Sequence, residues 1–225
     1  MLTLLIEAST ERGVIAFFDD LRCRYKKLLP FGYANSKYLL PSIAEGLTTA
    51  NIQFSDLKFI TVGIGPGSYT GMRVAAVIAK GIAYAHQLPL VEVSTLKGFS
   101  PAQPGAFLSL IDAKMGGMYA LQGEKNEDGD VQYFGDPAVY SLEALEALLK
   151  KVSRIVTPSS QRLRPLLEQR YPDLLIEWEE SYPDASEMTR IAVSSFQRGE
   201  IKSVDNLELL YLRDWEKREK DLKDK

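Results

Sequence analysis

Leu4 to Ala16 reads LLIEASTERGVIA, and Leu108 to Ala120 reads LSLIDAKMGGMYA. Each stretch is an apolar strand, an acidic residue (Glu7 or Asp112), a short polar turn with a glycine (Gly13 or Gly117), and a second apolar strand. One hairpin repeated about a hundred residues apart predicts a duplicated architecture, two similar α/β halves that each open on a β-meander. Between them the run Ser100-Pro101-Ala102-Gln103-Pro104-Gly105 is rich in chain breakers and marks the expected boundary. The division is therefore 1–99 and 100–225.

Working outward, Arg22 to Leu29 continues the first meander. From Asn35 to Ala50 the spacing changes to that of an amphipathic helix: Leu39, Leu40, Ile43, Leu47 and Ala50 recur every three or four residues, with Asn35 or Ser36 as cap and Pro41 near the first turn. Phe59 to Ile64 is a strand, Met72 to His86 a helix with small residues all round, and Leu90 to Val93 a strand. In the second half, Val131 to Tyr140 and Arg154 to Val156 read as strands. Leu142 to Lys151 reads as a helix capped by Ser141, Gln161 to Gln169 as a helix broken at Pro165, and Ala185 to Phe196 as a helix capped by Asp184 or Ser186. Trp215 to Lys225 is a charged tail.

Gly63 to Gly71, GIGPGSYTG, is the densest local feature. It follows a strand and precedes a helix, where backbone amides and the helix dipole can meet an anion. It matches neither a Walker loop, since no Gly-Lys-Ser/Thr follows, nor the dinucleotide fingerprint, nor a nucleophile elbow. The alternative is a tight turn in which Gly65, Gly67 and Gly71 meet backbone demands and Ser68 or Thr70 caps the helix. Glu7 and Asp112 end the first strand of each hairpin, a position that suits either a carboxylate near magnesium and phosphate or a solvated turn residue. Ser9 and Thr10 can line a phosphate loop or bond local backbone. His86 reads as a partner of a helix C-terminus, and Cys23 as a small packing residue. Arg73, the one charge in its small-residue stretch, is open between a phosphate, a partner carboxylate and no ligand.

Composition excludes several function classes. The chain has 225 residues with 27 basic against 30 acidic, so no overall basic field draws nucleic acid. A single cysteine rules out an internal disulfide framework and points to a reducing compartment; a single histidine rules out sites that need two or three imidazoles. No apolar run approaches the roughly 18 residues of a membrane span, and a cytoplasmic protein is expected.

The stretches LLIEAST, GIGPGSYTGMRVA, VSTL (Val93 to Leu96), LIDAKMGGMYA and Tyr211-Leu212-Arg213 occur in this order over most of the chain. Together they closely resemble the TsaB (YeaZ) family, bacterial proteins needed to make threonylcarbamoyladenosine in tRNA. The resemblance implies an actin-like, sugar-kinase-like (ASKHA) α/β fold of two βββαβα-type halves. It also implies a non-catalytic scaffold paired with TsaD, in an assembly that recruits the ATPase TsaE and moves a threonylcarbamoyl group to N6 of adenosine 37 of tRNA. ATP and metal are then expected in the partner subunits and no cofactor in this chain; the self-similar fold also permits a homodimer when TsaD is absent, with a monomer as the alternative. TsaD holds a metal with an H-x-x-x-H helix, whereas the corresponding helix here, Asn35 to Ala50, has no histidine. The family usually has Asp where this chain has Glu7. The rival expectation is an enzyme in its own right, an ASKHA phosphotransferase or a metallopeptidase.

The two helices of the first half carry more apolar surface than one core requires. Tyr38, Ser42 and Gly46 form a second face on one, and Ala75, Ala79 and Ala83 let another helix approach the other closely. Two such helices make half of a four-helix bundle, and the family is held to pair with TsaD through them. These six residues are the expected partner-binding set.

Overall fold

The computed structural model describes residues 1–32, 35–114 and 117–212. Strands β1 (Leu2–Glu7), β2 (Val14–Asp19) and β3 (Arg22–Leu28) form an antiparallel meander. Helix α1 (Leu39–Ala50) leads to β4 (Phe59–Gly63), which lies parallel to β1, and helix α2 (Tyr69–His86) leads to β5 (Leu90–Val93), parallel to β4. The order across the sheet is β3-β2-β1-β4-β5. The second half repeats the plan. Strands β6 (Gly105–Asp112), β7 (Gly117–Lys125) and β8 (Val131–Ser141) make the meander, followed by α3 (Leu142–Leu149), β9 (Arg154–Thr157), α4 (Ser160–Arg170) and β10 (Glu177–Glu180), in the order β10-β9-β6-β7-β8. The duplication read from the two hairpins is thus real, and the fold is the actin-like α/β arrangement.

Alternation along β1 and β2 decides how the first sheet is covered. Leu4, Ile6, Ile15 and Phe17 point to one face and bury against α1 and α2; Leu5, Val14, Ala16 and Phe18 point to the other. That second face is covered by α5 (Ala185–Gln197), whose Ala185, Met188 and Ala192 are fully buried there. A sheet covered on both sides needs apolar residues at successive positions, as in Leu4-Leu5-Ile6. Strand β3, RCRYKKL, is the outer edge, and its charges protect that edge from pairing with another chain.

The split at residue 99/100 remains a proposal. Helix α5 lies beyond it in sequence yet completes the first half, and the following segment returns to pair Lys202 with Leu90. The halves are joined around the turn Thr95–Gly98: Leu96 and Phe99 pack with Phe107, Ile111 and Val156 of the second sheet. The Tyr133 hydroxyl donates to the Lys97 carbonyl at 2.7 Å, and burial pushes its pKa up. Tyr133→Phe is expected to lower stability by about 1–2 kcal/mol, measured by urea unfolding, because buried carbonyls lose their donor.

Several details differ from expectation. Helix α1 starts at Leu39, after a 3₁₀ turn over Asn35–Tyr38, because Pro41 fits the first turn, where no backbone donor is needed. Helix α2 starts three residues early, at Tyr69, capped by Ser68, whose hydroxyl accepts from the Gly71 amide; Thr70 is not the cap. Helix α4 runs unbroken through Pro165. Asp184, rather than Ser186, caps α5, and Ser141 caps α3 as expected. Cys23 is exposed on the edge strand and is no packing residue. Arg213 and the charged tail lie outside the described residues.

The expected partner-binding set needs the largest correction. Ser42, Gly46, Ala75, Ala79 and Ala83 are buried within the chain's own first half; of the six only Tyr38 is exposed. Gly46 lies under the rings of Phe17 and Tyr25, and the three alanines let α2 sit close on the sheet. Their small size serves helix-on-sheet packing inside the molecule.

Candidate functional site

Two places are candidates for function: the turn between β1 and β2 with the glycine loop beneath it, and the outer surface of α1 and α2. At the first, Glu7 is fully buried. Its carboxylate accepts from the Ser9 amide and from the Thr95 hydroxyl, the latter at 2.9 Å. Gly63 leaves room for it, since a Cβ there would overlap Glu7 Oε2. Glu7 is no solvated turn residue; it ties the β1–β2 turn to the Thr95 turn across β4.

Burial raises the Glu7 pKa above its ordinary 4.5, and the bonds from Ser9 and Thr95 act in the opposite sense. The folded protein therefore binds this proton more tightly than the unfolded chain does. Stability falls as pH rises from 4.5 through the raised value, and the full penalty of the buried charge is present above it. Glu7→Gln, of the same length but never ionised, is expected to melt above the parent at about pH 8 and to lose that advantage near pH 4. Thermal melts across this range check it.

The glycine loop is pressed against the same turn. The Ser68 amide donates to the Ser9 carbonyl at 2.6 Å. A Cβ on Gly67 would overlap the Ser9 carbonyl oxygen, and one on Gly71 the Ala8 carbonyl oxygen. Gly65 has φ +93°, and its peptide bond to Pro66 is cis. The Thr95 amide and the Ser94 hydroxyl both donate to the Gly65 carbonyl, at 2.8 and 3.1 Å. The loop is a turn held by the protein's own backbone. Thr10 bonds locally to Arg12, while Ser9 Oγ is buried without a partner among the described residues.

In the second half Asp112 is nearly buried at the matching position. One of its oxygens accepts from the Lys114 amide at 2.8 Å, and the other pairs with Arg162 at 2.5 Å and Lys114 at 3.2 Å. Arg162 was not singled out in the sequence; its place on α4, over the end of β6, depends on the tertiary fold. Among the described residues no three His, Cys, Asp or Glu side chains are grouped as metal ligands, and no helix is long and apolar enough to cross a membrane. His86 closes α2 and lies against Phe54, ring centroids 4.9 Å apart.

The second place is the outward face of the paired helices. On α2, Arg73, Val77, Gly81 and Tyr84 follow helical spacing along one exposed stripe, with Val77 69% and Tyr84 79% exposed. Leu40, 57% exposed, stands on the outside of α1. Sequence reasoning singled out Arg73 and read Leu40 into the apolar stripe of α1, but missed Val77 and Tyr84, because small and apolar residues run all round α2 and periodicity does not separate its inner face from its outer one.

Comparison with known proteins places this geometry. The family model TsaD, tRNA N6-adenosine threonylcarbamoyltransferase, matches residues 33–160. The tRNA threonylcarbamoyladenosine biosynthesis protein TsaB of Escherichia coli K12 is 29% identical over 228 residues, covering 96% of this chain and 98% of that protein. The TsaB protein of Haemophilus influenzae is 34% identical over 93 residues, 39% of each chain. The crystal structure of a Pseudomonas aeruginosa protein described as similar to peptidase YEAZ superposes with a TM-score of 0.80 at 23% identity, over 94% of this chain and 99% of that one. The family model spans more than half of the sequence, and the similarity to TsaB runs almost from end to end: the chain belongs to the TsaD family, within its TsaB (YeaZ) group.

Proposed function

We propose that this chain is a non-catalytic subunit in the formation of N6-threonylcarbamoyladenosine in tRNA, acting in the cytoplasm by docking on a TsaD-type subunit that carries out the transfer. The observation that carries the proposal is the closed β1–β2 turn. A phosphotransferase of this architecture needs free backbone donors and a carboxylate facing the cleft between its halves. Here the Ser68 amide and the Glu7 carboxylate are used within the fold, and Gly67 and Gly71 are taken up by contact with the Ser9 and Ala8 carbonyls.

The docking surface we assign is the exposed outer face of α1 and α2, Leu40, Val77 and Tyr84 with Tyr38 at its edge, in place of the buried small residues. Two helices on one face of the sheet, both crossing between parallel strands and both with exposed apolar side chains, can complete a four-helix bundle with two helices of a partner. ATP and metal belong to the partner subunits in this proposal, with TsaE and tRNA joining through the assembly.

The test is a pair of measurements on the purified chain. Calorimetric titration with ATP and magnesium is expected to give no binding at millimolar nucleotide, and size exclusion with the TsaD-family subunit of the same organism is expected to give a one-to-one complex. Micromolar nucleotide affinity lost on Ser9→Ala, or no complex with that subunit, overturns the proposal.

A further inference from the structure

Among the described residues the chain passes between the halves twice, at 99–104 on the way from β5 to β6 and at 181–184 from β10 into α5. Any swing of one half against the other has to bend these two segments, since a hinge is a few loop residues that absorb the change in φ and ψ. The first passage, Phe99-Ser100-Pro101-Ala102-Gln103-Pro104, has the composition of a linker, with φ fixed at both prolines. The second half nevertheless holds it residue by residue. The Tyr133 hydroxyl, bonded to the Lys97 carbonyl, lies 3.1 Å from that of Phe99 as well. Lys125 Nζ donates to the Pro101 carbonyl at 2.7 Å, the Ala102 amide to the Glu179 carboxylate at 2.9 Å, and Arg154 Nη1 to the Gln103 carbonyl at 2.9 Å. Strands β7, β8, β9 and β10 each contribute one side chain to this segment.

The second passage is held from both sides. The Ser181 amide donates to the Thr157 carbonyl at 3.1 Å, which keeps it with the second sheet. Tyr182 then meets the first half: Phe31 packs edge to face on its ring, centroids 6.1 Å apart and planes at 88°, and the Arg12 guanidinium stands 6.0 Å from its centroid. Phe31 and Arg12 share one base, because the Leu29 amide donates to the Gly13 carbonyl and the Gly32 amide to the Glu11 carbonyl, both at 2.8 Å. The two passages are also fastened to each other, since the Asp184 amide donates to the Gly98 carbonyl at 2.8 Å and Pro183 is buried beside Gly98. Helix α5 completes the bracing. Its apolar side lies on the first sheet, while Arg190, paired with the buried Glu187, donates to the Val131 carbonyl of β8 at 3.2 Å. Halves joined by free linkers move against each other by default, and enzymes that close on a substrate use that motion. We propose that these contacts lock the two halves into one rigid body, with 99–104 as a splint and Tyr182 as a clasp, so that the cleft between them neither opens nor closes. A partner docked on the first half then finds the second half at one fixed angle.

The experiment measures the distance between two spin labels, one on Cys23, the single cysteine of the chain and exposed on β3, the other on Gln169→Cys, at an exposed position of α4. Labelled chain is diluted with unlabelled chain, so that only pairs within one molecule are read. The labelled protein is expected to give one narrow distance distribution that stays in place when magnesium ATP or the TsaD-family subunit is added. Tyr182→Ala together with Lys125→Ala, introduced into the same protein, is expected to broaden that distribution while the chain stays folded by circular dichroism. A broad or two-peaked distribution before these substitutions, or one shifted by either addition, overturns the lock. A distribution left narrow by the double substitution in a folded chain overturns its assignment to the splint and clasp. Should that variant fail to fold, hydrogen exchange of the parent decides: the Ser181 and Asp184 amides are expected to be protected like those of β6, and exchange at the rate of an open loop overturns the lock. Binding of magnesium ATP with no change in distance supports the lock and counts instead against the closed β1–β2 turn on which the proposed function rests.

Discussion

Gly71→Val is expected to lower the stability of the chain by about 3 kcal/mol or more, roughly 6–12 °C in melting temperature for a domain of this size. The residue stands in the first turn of α2 with its Cα against the β1–β2 turn, and a Cβ would overlap the Ala8 carbonyl oxygen. The obstacle is backbone, so no side-chain rotation relieves it. Either α2 retreats, opening the contacts of Ala75 and Ala79 with the sheet, or the turn moves and the Ser68–Ser9 bond is lost. Gly81→Ala is the contrast. Gly81 lies in the same helix with nothing within 4 Å of an added Cβ, so its replacement should stabilise by about 0.5–1 kcal/mol through helix propensity. Chemical denaturation of both variants checks the pair; equal stabilities would mean that the loop does not bear on the β1–β2 turn as described.

Ala79→Arg is expected to unfold or severely destabilise the isolated chain, by several kcal/mol, because Ala79 is fully buried in the core beneath α2 and the guanidinium would have neither room nor a partner there. The position was expected from the sequence to lie in an interface, where such a change breaks pairing and spares the monomer. That outcome now belongs to Val77→Arg, two residues earlier on the helix and 69% exposed. Circular dichroism melts of both variants separate the two placements. A folded Ala79→Arg chain with parent-like melting would put Ala79 outside the core and restore the earlier assignment.

The contrast between Ala79 and Val77 shows what the sequence made legible and what it did not. The hairpins, with their strand, acid, glycine and strand, declared the duplication because period-two patterning and turn chemistry are local. The caps at Ser68, Ser141 and Asp184 were legible for the same reason. Strand β10, EWEE, was not: it is a short polar edge strand, specified by pairing with β9 rather than by its own pattern. The docking of α5 on the first sheet was also out of reach, although the unbroken apolar runs of β1 and β2 signalled that both faces of that sheet are covered.

At the site, Glu7 and the glycine loop were found by type and spacing. Their closure on one another could not be, because it depends on where Thr95 and the Ser9 carbonyl lie in space. The outer face of α2 was missed because small residues along a helix suit a close neighbour on either side. Only the position of the sheet settles which side that neighbour occupies, and it lies beneath Ala75, Ala79 and Ala83.

The central claim is that the chain supplies a surface and not the chemistry. It is tested most directly by a reconstituted transfer assay containing tRNA, the threonylcarbamoyl donor, the ATPase and the TsaD-family subunit, with this chain titrated in. The account predicts no transfer by this chain without the TsaD-family subunit, transfer that saturates at one chain per subunit, and loss of that stimulation with folded Val77→Arg. Transfer by this chain alone, or full stimulation by Val77→Arg, would contradict it.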